Sequence, residues 1–203
     1  MTTQTINTAA PAYLDQTTNV LTDVEAWVPL ITTVVSGTST SNVQMQSSTG
    51  ANDWSQYMDL VIVGYARSHG TGGVVSMTLN NDTTAGSYEI QILQANGAAV
   101  SPYLQSLTSA DIAVVAKSTA GANIFGSFVC TMFDINSGKY TSLQSVRANN
   151  NQGSGSPNIV ALTAGVWESQ AAVTEIDLFI SGHNWAADSR FDLFGVLPRM
   201  VTA

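Results

Sequence analysis

Between Leu30 and Val196, apolar side chains recur at every second position in short runs, and this period of two confines the chain to β-sheet. The runs are 30–36, 57–67, 73–80, 87–94, 110–117, 124–135, 139–147, 173–181 and 189–196. In 173–181, Ile176, Leu178 and Ile180 fall on one face and Glu175, Asp177 and Phe179 on the other. Between the runs stand HGTGG (69–73), NNDTTAG (80–86), ANG (95–97), STAGAN (118–123), NSG (136–138) and NNNQGSGSP (149–157), clusters with turn chemistry. Many short strands so punctuated predict an all-β, antiparallel sandwich, and about eight core strands suit the two four-stranded sheets of a jelly roll.

The first 26 residues depart from this pattern. Residues 1–16 are polar and aperiodic and read as an extended arm. Val20, Leu21, Val24 and Trp27 follow at helical spacing before Pro29, so 17–27 is expected to form a short helix or clasp. The stretch 36–54 reads as a long loop or an irregular edge strand. The expected organisation is an arm over 1–26, docking through Tyr13, Val20, Leu21 and Val24, and a sandwich domain over 27–203.

The surface of such a sandwich is unusual in having little charge. Charged residues are 10% of the 203, whereas Ser, Thr, Asn and Gln total 70, and the formal net charge is −8. Without a basic stripe to release counterions from phosphates, neither a nucleic acid nor an anionic membrane is an expected partner. Cys130 is the one cysteine, which excludes an intramolecular disulfide and a cysteine-based zinc site. The N-terminus has neither the basic nor the apolar region of a secretory signal, and no apolar run has the length of a membrane span, so a soluble protein made in a cytoplasm is expected.

Candidate chemistry is sparse. A Ser–His–Asp site must use His69 or His183, the two histidines; His183 has Asp188 and Ser189 nearby in sequence, but no G-x-S-x-G elbow exists. Gly70, Gly72 and Gly73 join two strands instead of opening a helix, so a hairpin turn accounts for them better than a phosphate loop. Glu175 and Asp177 share a strand face, with Asp188 and Asp192 downstream; converging, they would suit calcium or glycoside hydrolysis. Trp54, Tyr57, Trp167 and Trp185 sit at strand or loop boundaries, either closing the ends of the core or forming a sugar platform.

The segment Gly182–Val196, GHNWAADSRFDLFGV, resembles the closing strand of a jelly-roll domain widespread in tailed-phage virion proteins, with a pattern near G-N-F-x-x-G-S-x-F-x-L-Y-G-I. Asn184, Ser189, Phe191, Leu193 and Gly195 match; Trp185 stands for Phe, Asp188 for Gly, Phe194 for Tyr and Val196 for Ile. Upstream, Tyr57-Met58-Asp59-Leu60 leading to Arg67, Leu79-Asn80-Asn81-Asp82 leading to Tyr88, and Trp167-Glu168-Ser169 before Ile176 are similar in order and spacing, so the resemblance covers about 27–196. On physical grounds, Ser189 is expected to satisfy a backbone group at the strand start, Phe191 and Leu193 to enter the core, and Gly195 to permit a close approach or bulge.

The resemblance implies a non-enzymatic virion structural protein without cofactor or metal. A capsid decoration (cement) protein comes first, a homotrimer bound to the major capsid protein or another virion protein. The alternative is a head- or tail-fibre domain binding a receptor or carbohydrate, with Trp54 or Trp185 facing the glycan. An acidic glycan hydrolase is the third reading, and it requires carboxylates about 5 to 10 Å apart in a cleft.

Overall fold

The computed structural model describes residues 2–5, 14–15, 20–21, 27–96, 100–150 and 158–197. Its strands are β1 (Thr2–Thr5), β2 (Leu14–Asp15), β3 (Val20–Leu21), β4 (Trp27–Val34), β5 (Asn42–Gln46), β6 (Asp59–Ala66), β7 (Val74–Leu79) and β8 (Tyr88–Ala95). They continue with β9 (Val100–Leu107), β10 (Ala110–Val114), β11 (Gly126–Phe133), β12 (Thr141–Asn149), β13 (Ile159–Trp167), β14 (Glu175–Phe179) and β15 (Arg190–Val196). Two single-turn 3-10 helices, Gly50–Asn52 and Trp54–Gln56, precede β6, and no α-helix occurs among the described residues.

The strands form an antiparallel sandwich. A large sheet runs β1-β4-β15-β6-β11-β12-β13-β8-β9 and faces a small sheet β10-β7-β14-β5, while β2 and β3 pair only with each other. The sheets therefore hold nine and four strands, where eight strands in equal sheets were expected. The surplus comes from β1 and from two hairpins, β8–β9 and β12–β13, that extend the large sheet on one side. From β4 to β8 the chain changes sheet at every step, so β6 and β7 are not a hairpin and the glycines between them are not a hairpin turn.

A short helix or clasp was expected over 17–27; of these residues the structure describes Val20–Leu21, which form β3, and Trp27, which opens β4, and none of the three is helical.

The centre of the core is a gap filled by aromatic rings. On β6, Gly64 lies directly opposite Phe128 of β11 on one side and Phe191 of β15 on the other. A Cβ on Gly64 would fall 2.1 Å from Cε1 of Phe128, so the ring occupies the space that a side chain would need. Phe191 packs edge-on against Trp185, with centroids 4.8 Å apart, and tilted against Phe128 at 6.4 Å. Trp54 and Trp185 are fully buried.

Hydrogen bonds fix the entry to β15. Ser189 accepts from the Arg67 N–H at 3.1 Å and donates to the Arg67 carbonyl at 3.2 Å, holding the start of β15 to the end of β6. Asp188 turns the chain there with φ +68°, a left-handed conformation that Asp tolerates better than most residues, and its N–H bonds the Val35 carbonyl. At the other end, a Cβ on Gly195 would lie 2.5 Å from the Tyr57 ring, and the register shifts between Leu193 and Phe194.

A second lock joins β7, β8 and β13. The Tyr88 hydroxyl accepts from the Leu79 N–H at 2.8 Å and donates to the Asp82 carbonyl at 3.2 Å. Buried Trp167 donates its indole N–H to the Asp82 carboxylate at 2.8 Å. Burial opposes the charge on Asp82, but hydrogen bonds from Thr84, Trp167 and Ser87 outweigh it and hold the pKa at about 2.

Two outcomes follow from this packing. Phe191→Ala, which empties the central cluster, lowers unfolding free energy by about 3–5 kcal/mol, read from the denaturant midpoint. Because Asp82 titrates below its ordinary value of 3.8, its charge stabilises the fold above that value, and the contribution fades as pH falls through about 2. Asp82→Asn keeps an acceptor for Trp167 but has no such acid-dependent loss, so acid titration of unfolding distinguishes the two proteins.

Candidate functional site

Several residues considered for catalysis have structural partners. The Ser189 hydroxyl is committed to the Arg67 backbone. The His183 ring lies against the loop between β6 and β7, where a Cβ on Gly70 would fall 2.1 Å from Nδ1 and one on Gly72 2.3 Å from Cδ2. Gly73 is packed against the Val115 carbonyl in the same way. These three glycines have no positive φ; they are needed for space around an imidazole and a neighbouring backbone, which corrects the turn explanation. His69 is exposed and its N–H bonds the Asn184 carbonyl. Burial pushes the Cys130 thiol up to about 12, far from a reactive thiolate.

The four acidic residues do not converge. Asp192 on β15 accepts from Thr32 and pairs with Arg190 at 2.8 Å on the outside of the large sheet, and Asp188 belongs to the turn described above. Glu175 and Asp177 remain neighbours on one face of β14, opposite Gln46 and Gln44 of β5. Among the described residues no three His, Cys, Asp or Glu side chains are grouped to hold a metal ion.

The outer face of the small sheet gathers polar groups around this pair. Gln46, Gln44 and Asn81 donate to Glu175, and Asn42 donates to Asp177 at 2.6 Å. Burial and the adjacent carboxylate raise the pKa of Asp177, whereas the amides, led by Gln46, lower that of Glu175. A shallow depression of about 420 Å³ opens beside them, lined by Asn42, Asn81, Asp177, Phe179, His183 and Asn184.

Neither tryptophan assigned to a glycan platform lies on a surface. Trp185 packs on Phe191 in the core, and the Trp54 indole N–H donates to Asn52 in the interior at 2.9 Å. Both indoles are too large and apolar to remain in water when the sandwich offers them an end to close. Of the arm residues, Tyr13 and Val24 lie outside the described residues. Val20 and Leu21 form β3, which pairs with Asp15 and Leu14 of β2.

The most informative surface is one that no motif marked. On the outside of the large sheet, Val63, Val129, Val146, Leu162 and Leu93 stand directly opposite one another across β6, β11, β12, β13 and β8. The next row is Tyr65, Ser127, Ala148, Val160, Ala95 and Val100, and it reaches β9. Val146, Val160 and Leu93 are 55%, 61% and 50% exposed. A third row, Thr131, Gln144, Ala164 and Gln91, is uncharged.

Beneath this surface the polarity is reversed. The inward positions of β12 and β13 include Ser145, Arg147, Asn149 and Thr163, all buried, while valines and a leucine face out. The buried Arg147 charge acts on Asp111 of β10, partly offsetting the upward shift that burial imposes on that carboxyl. A contiguous run of exposed valines and leucines across several strands marks an outer face suited to being covered.

Comparison with protein-family models, curated proteins and solved structures gives no match for this chain. Its surfaces therefore have to be judged on geometry and chemistry.

One outcome tests the carboxyl pair. Because Asp177 titrates above its ordinary value, ionising it costs stability as pH rises from about 4 through the raised pKa. Asp177→Asn removes that cost and supplies an amide donor to Glu175. The variant should unfold at higher denaturant than wild type at pH 7, with the advantage gone at pH 3.

Proposed function

We propose that this chain is a non-enzymatic structural protein of a tailed-phage virion, most simply a capsid decoration protein that binds the major capsid protein or another virion protein. The observation that carries the proposal is the broad, uncharged, apolar outer face of the large sheet. It suits protein assembly, while the Ser189 hydroxyl is committed to the Arg67 backbone and the Cys130 thiol is buried. Strand order lends support to the jelly-roll reading: without β1 and the two added hairpins, β4-β15-β6-β11 faces β5-β14-β7-β10. A net charge of −8 and the absence of a basic stripe argue for protein over nucleic-acid partners.

The fibre reading retains one favourable observation, the amide- and carboxylate-lined depression beside Asp177, whose hydrogen-bonding groups suit a polyhydroxylated ligand. It no longer rests on Trp54 or Trp185.

Electron microscopy of an intact particle separates the two. Copies over the whole shell are the expected result; a few copies at the tail support the fibre reading, and a particle without the protein overturns both. The arm is tested alongside: deleting residues 1–16 should leave a cooperatively melting domain that binds particles at least tenfold more weakly. Undiminished binding would put attachment on the sandwich.

A further inference from the structure

We infer that the outer face of the large sheet over β6, β11, β12, β13, β8 and β9 is an interface between two copies of this chain, packed face to face about a twofold axis. The inference takes the same outer face that supports the virion reading and gives it to a second copy of this chain, so that attachment to any virion partner falls to other surfaces.

Size is the first ground. With strands about 4.8 Å apart and alternate residues about 6.8 Å apart, the two apolar rows cover roughly 400 Å² of sheet plane. That is the size of the largest, often functional, apolar patch on a soluble monomer, and the uncharged third row brings the plane to roughly 500 Å², toward the roughly 800 Å² of accessible surface that each partner buries in a standard interface. The arrangement also has interface anatomy. Val129, Val146, Leu162 and Val160 form an apolar centre, Thr131, Gln144 and Gln91 a polar edge, and a depression of about 440 Å³ between Tyr65, Val129, Val146 and Val160 can receive a facing side chain.

Charge is the second ground. Each copy carries −8, so two copies approach closely only through a surface that brings no like charges together. Over β6 to β9 none of the three rows contains a charged residue, and where the first two continue onto β15 the charges beside Val63 and Tyr65, Asp192 and Arg190, pair with each other at 2.8 Å. Glu175 and Asp177 lie on the opposite side of the sandwich, on the small sheet.

Symmetry is the third. A head-to-tail ring needs two different complementary surfaces on each copy, whereas a twofold dimer needs one that fits itself. Among the described residues, the other large exposed apolar side chains are Trp27, Val74 and Tyr140. Trp27 packs on Phe194 of the same sheet, and Val74 and Tyr140 lie on separate elements, so they do not build a second patch. One patch of this kind points to a dimer, not the trimer suggested by the resemblance. Two sheet faces packed about 10 Å apart would let the valine and leucine rows interdigitate.

Sedimentation of the full chain tests the inference. Wild type should run as a dimer at micromolar concentration, and Val146→Glu and Val160→Lys, each made separately, should weaken self-association at least tenfold. Both positions face out, so cooperative melting of each variant confirms that folding survives and the readout concerns association. A bulky thiol adduct on Val146→Cys should weaken self-association, whereas the same adduct on Gln44→Cys of the small sheet should leave it unchanged. A wild-type monomer at roughly 100 µM, a trimer, or a dimer that survives both substitutions would overturn the inference, including the case where a monomer uses this face on another protein.

Discussion

The missing side chain at Gly64 is the constraint on which the sandwich depends. Because β6 has no Cβ there, the Phe128 ring can lie across it, and Phe191 can meet that ring from the other neighbouring strand. This places β15, nearly the end of the chain, between β4 and β6, which come early in the chain. Trp185 then packs on Phe191, and the loop carrying it is held by the Arg67 carbonyl, which accepts from the Ala186 N–H. One absent methyl group thus couples the three central strands to the loop that delivers the last of them. Contacts so distant in sequence are slow to form, and the closing strand has nothing to pair with until β4 and β6 are in place.

The two faces of the large sheet follow different rules along its length. Near β15 and β6 the inside is aromatic and aliphatic, as a sandwich core requires. At β12 and β13 the inside mixes Leu143, Ala161 and Trp167 with Ser145, Arg147, Asn149 and Thr163, while Val146, Val160 and Leu162 face out. Burying a guanidinium is costly, and β10, with Asp111, lies where it can offset that cost. Such an arrangement is poor economy for an isolated monomer. It becomes reasonable when the outer rows are buried too, since the extension is then the middle layer of a thicker assembly.

The same reversal explains what the sequence revealed and what it hid. Strands with an ordinary wet side, such as β8, or with aliphatic cores, such as β6, were readable from alternation to within a few residues. β13 was missed because Ala161, Thr163 and Gly165 point inward, so its alternation marks no conventional core face. β9 was missed as well, and Pro102 within its run argues against a strand unless the strand is at an edge, where β9 lies. β5 has only Val43 and Met45 as inward apolar residues, between amides that hold Glu175 and Asp177. Roles within the closing strand were more legible, since Ser189, Phe191, Leu193 and Gly195 each act through a local requirement of backbone or volume. The glycines at 70 and 72 were not, because their constraint is His183, more than 100 residues away. The apolar face was hidden for a related reason: its rows exist only in the register of six strands, and no linear motif contains them.

Segregation of charge gives the two faces separate consequences. Glu175 and Asp177 sit among amides on the small sheet, and Asp111 meets Ser76 at 2.9 Å beside the same sheet. A dimer formed through the large sheets would carry these acidic surfaces on its two outer sides. Further face-to-face growth would then juxtapose like charges, while the apolar face would already be spent. Low overall charge and a terminating assembly are therefore compatible, because the small-sheet carboxylates lie where repulsion limits growth and the uncharged rows lie where contact is made. The small-sheet faces would remain free in that dimer, with the Asp177 depression available on each side.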